Sequence, residues 1–196
     1  MRTVSRRTWL LLAFGVIATV GGYRALSRFP AETAPEGAYL RIATAVERGV
    51  PETAFPYLEE EAQVACYTIR DYARLAAKAI AADYPEGERA KELPPYQRLA
   101  EAGEPPQLWS QIAEDRGWLR RLRRDLSGVA SVELVGDRAT IVTARGTRYS
   151  FRRRPNGIWG LTMFTAQLDA EARRLARDWD LVNKAAADHR EAAKER

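Results

Sequence analysis

The residues able to do chemistry are few and far apart in this chain. It holds one histidine, His189, and one cysteine, Cys66. A serine or cysteine nucleophile needs a base within hydrogen-bond reach. His189 stands in the polar stretch Asp188-His189-Arg190-Glu191, where a solvent-facing position is expected. A single cysteine makes no intrachain disulfide, and no thiol or imidazole joins Glu59-Glu60-Glu61 to complete a metal ligand set. In the first turn of a helix those carboxylates instead complement its dipole. No Gly-rich phosphate loop, dinucleotide fingerprint or His-Glu-x-x-His pair occurs. Glu133 and Asp137 lie at or beside a turn, so surface placement is expected of them. A carboxylate pair assembled across the fold stays open. The sequence otherwise supplies no catalytic residue, no metal site and no cofactor site, and the reading leans away from an enzyme.

The arginines carry more information. Arg120, Arg121, Arg123 and Arg124 flank a leucine stripe (Leu119, Leu122, Leu126), and Arg152, Arg153 and Arg154 follow in sequence. Guanidinium clusters bind carboxylate and phosphate groups well. Overall, 31 Lys and Arg face 26 Asp and Glu. Residues 1–30 hold five Arg and no acid, so the rest of the chain is neutral. The basic pI therefore gives no argument for nucleic acid, and none is expected as a partner. The neutrality conceals a polarity: residues 31–115 carry 8 basic and 16 acidic side chains, and residues 116–154 carry 11 and 3. Either the acidic helices and the basic sheet region pair with each other, or the arginines form a surface for an anionic partner.

The scaffold is readable from periodicity. Val129 to Phe164 divides into VASVELV, RATIVTA, TRYSFRRR and IWGLTMF, separated by Gly136-Asp137, Arg145-Gly146 and Pro155-Asn156-Gly157. The first two separators suit two-residue hairpins and the third suits a type I turn ending in a left-handed Gly. An antiparallel meander follows. Tyr149 and Phe151 share one face of the third strand, and Trp159, Leu161 and Met163 share one face of the fourth. Before the meander, spacing predicts helices over Gly37–Arg48, Leu58–Asp83, a stretch near Pro106, and Trp118–Leu126. The segment from Tyr84 to Pro106 is broken by prolines and suits only short helices. Cys66 falls on the apolar seam of the Leu58–Asp83 helix, which favours burial. After the meander, Ala166–Lys194 reads as one long helix whose second half projects or pairs with another chain. The fold class is α+β: a helical front half, a four-stranded antiparallel meander and a long C-terminal helix.

The order of helices and then a meander with large aromatics on one face resembles the NTF2-like cone fold. That resemblance implies a curved sheet around an apolar pocket, with Tyr149, Phe151, Trp159, Leu161 and Met163 lining or backing it. At the N-terminus, Thr8 to Tyr23 carries no charge and follows a basic stretch. It suits a signal-anchor, or the apolar region of a cleaved signal peptide. Ser5-Arg6-Arg7-Thr8-Trp9-Leu10 is similar to the twin-arginine export motif, which implies export of a folded protein.

The expected layout is a membrane helix, as signal-anchor or signal peptide, over 1–26, a tether over 27–36 and a single α+β domain over 37–196. Positive charge before the apolar run places the N-terminus in the cytoplasm. The chain then crosses the inner membrane once and its C-terminal domain is periplasmic or otherwise extracytoplasmic. The expected partners are the membrane through the N-terminal helix, and a protein or anionic lipid headgroups. The expected role is non-catalytic binding or scaffolding, with a small-molecule-binding protein or enzyme of the cone type as the alternative.

Overall fold

Three tight turns fold the chain into one antiparallel sheet of order β1-β2-β3-β4. In the computed structural model, which describes residues 30–195, the strands are β1 (Val129–Val135), β2 (Arg138–Thr143), β3 (Arg148–Arg153) and β4 (Trp159–Leu161). Gly136, with φ of 59°, opens the β1–β2 turn at a position that disfavours a Cβ. The β2–β3 connection is longer than the two residues expected. Thr143 N–H donates to Thr147 O (2.9 Å) and Gly146 N–H to Thr143 O (2.8 Å), so Ala144, Arg145 and Gly146 form a three-residue loop with Gly146 at φ 78°. The β3–β4 turn closes similarly, with Gly157 N–H on Arg154 O at 2.9 Å.

Helices precede and follow the sheet. They are α1 (Pro35–Glu47), α2 (Glu60–Asp83), α3 (Glu86–Ala100), α4 (Pro105–Asp115), α5 (Trp118–Asp125) and α6 (Thr165–Lys194), with a 3-10 helix at Pro51–Tyr57. Pro35 and Pro105 start their helices, where a missing N–H costs nothing. The proline-rich segment departs from expectation. Glu86–Ala100 is one helix of 15 residues with Pro94 and Pro95 inside it. It rests on α2 through Leu99, with Leu93 and Tyr96 partly buried, and that packing offsets the lost backbone bonds.

The core lies between the inner face of the sheet and α1, α2, α4 and α5. Ala139, Ile141, Tyr149, Phe151, Trp159 and Leu161 supply it from the strands, each at most 3 % exposed. Tyr39, Ile42, Ile69, Leu108, Trp109, Leu119 and Leu122 meet them from the helices. Trp109 and Trp118 both pack on Phe164, the residue that leads into α6. Tyr39 fixes α1 to the start of the sheet: its hydroxyl donates to Ser127 O (2.6 Å) and accepts from Ser127 N–H (3.2 Å).

The last helix stays on the body along its length. Its start meets the start of α2, and its second half lays Val182 and Ala186 against Ala76, Ile80 and Tyr84. The two helices therefore run parallel. His189 is not free in solvent: its ring packs edge-on against Tyr84 with centroids 4.8 Å apart, and Nε2 lies 3.2 Å from Glu88. Arg190 closes the end on Asp83 at 2.5 Å.

Two sequence expectations are corrected here. No helix among the described residues is long and apolar enough to cross a membrane; each carries charged side chains on its outer face. Residues 1–26, where the sequence places the anchor, lie outside the described residues. Among the described residues the fold is α+β without a membrane helix. Membrane anchoring, the single-pass inner-membrane topology with a periplasmic body, and membrane or lipid-headgroup partners are not retained. Second, the sheet is open and does not curl into the cone of the NTF2-like fold. Tyr149, Phe151 and Trp159 of the inner face are buried against the helices, each at most 3 % exposed.

Buried acids in this core predict an alkaline limit. Burial pushes the Cys66 thiol from 9.0 up to about 12, and the Tyr149 phenol from 10.0 up to about 12. The raised folded-state values mean their contribution is intact below the unfolded pKa values and is lost as pH rises from 9 through about 12. Urea unfolding from pH 7 to 11 should show a midpoint that falls only above pH 9, with a shallower fall in Tyr149→Phe. A flat midpoint across that range contradicts the burial of both groups.

Candidate functional site

The sheet has two unlike faces. Along β2 and β3 Ala139, Ile141, Tyr149 and Phe151 point inward and are buried, while Arg138, Thr140 and Val142 alternate outward opposite Arg152, Ser150 and Arg148. No helix among the described residues covers this outer side of the two central strands; Ser150 and Arg148 are exposed and Thr140 and Arg152 half-buried. Toward β4 the face is closed by the chain entering α2. Leu58 bridges to Leu161, and Glu59 N–H donates to Leu161 O at 3.1 Å. This approach requires Gly160: a Cβ there would stand 2.7 Å from Glu59 Cα and 2.8 Å from its nitrogen.

Glu59 is consequently a buried carboxylate, 5 % exposed. Burying an unpaired carboxylate is costly, and both of its oxygens are met. Arg152 Nη1 lies 2.8 Å from Oε1, and the Thr165 hydroxyl donates to Oε2 at 2.6 Å. The same Arg152 nitrogen donates to Glu61 Oε1 at 3.1 Å. One guanidinium from the sheet thus joins two carboxylates at the start of α2, and Thr165 brings in the first turn of α6. Each Glu59 oxygen thus has a partner from a separate element, which gives the side chain a structural role.

Beside this node lies a cleft of about 330 Å³, bordered by Glu59, Arg138, Thr140, Ser150, Arg152 and Thr162. Thr162 is oriented by bonds from its N–H (3.0 Å) and its hydroxyl (3.1 Å) to Ser150 O. Arg138 and Arg152 face each other directly across the strands. Arg152 is neutralised by Glu59 and Glu61, whereas Arg138 has no ion pair or side-chain hydrogen bond among the described residues. A larger groove of about 580 Å³ lies between α2 and α6. Its walls combine small or apolar residues such as Val64, Ala65, Ala172 and Ala176 with the acids Glu60, Glu61 and Asp169, and its one cation, Arg173, pairs with Asp169. Of the two, the smaller cleft holds a cation with no ion pair among the described residues.

The arginines singled out by the sequence do not form one surface. Arg152 points to the outer face, Arg153 lies on the opposite side of β3, and Arg154 Nη2 donates to Pro56 O at 2.6 Å. Arg121 and Arg124 pair with Asp125, and the Arg124 hydrogen bond holds that carboxyl below its ordinary range. Arg120 folds back toward Gly117, and Arg123 borders a shallow depression with Glu52 and Glu114. Tyr149, Trp159 and Leu161 are buried core, Met163 packs partly buried against it, and Phe151 also contributes to the floor of the cleft. Trp159 Nε1 donates to Thr33 O at 3.0 Å. Arg138, Thr140 and Ser150 were not candidates from sequence. Their shared face is set by the length of the β2–β3 loop, which fixes which residues stand opposite.

Comparison with protein-family models, curated proteins and solved structures finds no match to the chain.

The close approach at Gly160 predicts an asymmetric pair of substitutions. Gly160→Ala should destabilise the protein by about 2 kcal/mol or more, because backbone must move to admit the methyl group. Gly87→Ala, with open space around the new Cβ in the first turn of α3, should be neutral or slightly stabilising. Chemical denaturation of both variants checks this, and equal effects contradict the proposed contact.

Proposed function

We propose that the outer face of the sheet recognises a small anion, a carboxylate- or phosphate-bearing ligand, at the cleft between Arg138 and Arg152. The observation that carries this reading is the cross-strand arginine pair, in which one partner is neutralised internally and the other is not. Like charges directly opposite on neighbouring strands destabilise a sheet. Glu59 and Glu61 remove that cost for Arg152 only. An anion seated between the two strands would accept bonds from the Arg138 guanidinium and from the hydroxyls of Thr140 and Ser150, which stand opposite each other on the same face. The open face gives such a ligand direct access, and the Glu59 node holds one wall of the cleft in place.

This reading is of recognition without chemistry on the ligand. The carboxylate beside the cleft is already ion-paired with Arg152 and accepts from Thr165, and His189 lies at the far end of α6, against Tyr84. The domain organisation that goes with it is a single α+β body over residues 37–196 acting as a binding module.

Titration of the isotopically labelled protein with inorganic phosphate and with malonate tests the site. Amide shifts should concentrate on Arg138, Thr140, Ser150 and Thr162 and weaken as salt rises. Arg138→Ala should weaken binding about tenfold, the loss of one charge-assisted contact of about 1.4 kcal/mol. Its fold should be unchanged, since the Arg138 side chain holds no partner among the described residues. Shifts elsewhere, or binding unaffected by Arg138→Ala, would overturn the reading.

A further inference from the structure

The free edge of β1 is the remaining unsatisfied feature of the sheet. Four-stranded order leaves two edges, and β4 is bridged by Leu58 while β1 pairs only with β2 among the described residues. An uncovered strand edge presents a row of unpaired N–H and C=O groups and is a template for another strand. Natural edges are usually protected by inward charges, proline or strong twisting. From Ser131 to Val135 there is no proline and a single charge, Glu133. The one irregularity, a register shift between Val129 and Ser131, lies at the far end from the turn. Leu134 is 59 % exposed and Val135 78 % exposed, both large apolar side chains on this edge strand.

The backbone fixes which residues offer their groups outward. Val135 and Arg138 flank a two-residue turn, so they form a hydrogen-bonded pair, and alternation assigns Glu133 and Ser131 to the same ladder with β2. Val132 and Leu134 therefore turn their N–H and C=O groups away from β2, while Ala130 is the residue at which the register shifts. An antiparallel partner must meet Val132 and Leu134.

We infer that β1 pairs antiparallel with β1 of a second copy of this chain, about a twofold axis at Val132, making one continuous sheet from two. The sequence VASVELV is nearly self-complementary in that register. Val132 meets Val132, Leu134 meets Ala130 and Val135 meets Val129, so apolar residues oppose each other on both faces. Glu133 falls opposite Ser131. The neighbouring register, centred on Glu133, would set two carboxylates face to face, which is unfavourable. Charge thus selects the Val132 axis. Arg148 holds Glu133 on the outer face of its own sheet and keeps it from the edge. An isologous contact of this kind closes on itself as a dimer. The inference is independent of the anion site, since Arg138 and Arg152 lie on other strands.

Light scattering after gel filtration of the full chain, with two kinds of variant, tests the pairing. Wild type should show twice the chain mass. Val132→Pro should halve it with an unchanged circular dichroism spectrum, because the N–H removed points outward and serves no bond to β2. Paired Val132 residues would have Cα atoms about 5.5 Å apart, within disulfide range. Val132→Cys should therefore cross-link on mild oxidation, while Glu133→Cys should not, and buried Cys66 stays out of reach. A wild-type chain of single mass at every concentration overturns the proposal. So does a dimer that survives Val132→Pro, or cross-linking through position 133 in place of 132. If Val132→Pro fails to fold, the cysteine pair alone decides.

Discussion

The Glu59 carboxylate is the constraint on which the arrangement of this protein depends. Its backbone N–H is bonded to β4, its side chain to β3 through Arg152, and to α6 through Thr165. Both long helices begin at this point, so the carboxylate faces two helix starts. There, backbone N–H groups lack intrahelical partners and favour negative charge. Removing a carboxylate from water costs several kcal/mol, and only complete pairing offsets that cost. Here the pairing also fixes geometry, because the three partners come from three separate elements. Gly160 is the steric condition for it.

From that node the rest of the architecture follows. With their starts held together, α2 and α6 run parallel, and their far ends meet through Tyr84, Val182, Ala186 and His189. The inner face of the sheet is closed by α1, α4 and α5, and no helix among the described residues covers the outer face of β2 and β3. Charge is distributed accordingly. Much of the excess of arginine in residues 116–154 is balanced locally or by the acidic helices: Arg116 by Glu171, Arg121 and Arg124 by Asp125, Arg148 by Glu133, and Arg152 by Glu59 and Glu61. Burial alone would raise Glu171, yet hydrogen bonds and charge from Arg174 and Arg116 hold it below its ordinary range. Arg138, like Arg120, Arg123 and Arg153, has no ion pair among the described residues, but of these four it alone borders the cleft beside Glu59, and the functional reading rests on that position.

The meander was legible because period-two alternation and glycine turns are local signals. The inward aromatics, the seam of α2 through Cys66, and the single long helix from Thr165 were legible for the same reason. What escaped the sequence was non-local. Glu59 looks like any first-turn acid until the chain brings Arg152 and Thr165 to it from 93 and 106 positions away. Arg138 faces Arg152 only because the β2–β3 loop has three residues; a two-residue turn would set it opposite Arg153. The aromatic face that resembles a cone-fold pocket is filled by helices, since the sheet stays flat enough for Trp109 and Phe164 to close over it. Pro94 and Pro95 failed to break α3 because packing on α2 outweighs their local cost.

A double-mutant cycle between Glu59→Gln and Arg152→Gln tests the central claim most directly. Unfolding free energies of the two single variants and the double variant should yield a coupling of about 1.5 kcal/mol or more, as expected of a charge pair held in one network. Additive effects, within about 0.4 kcal/mol, would mean that the two side chains do not hold the sheet to the helices.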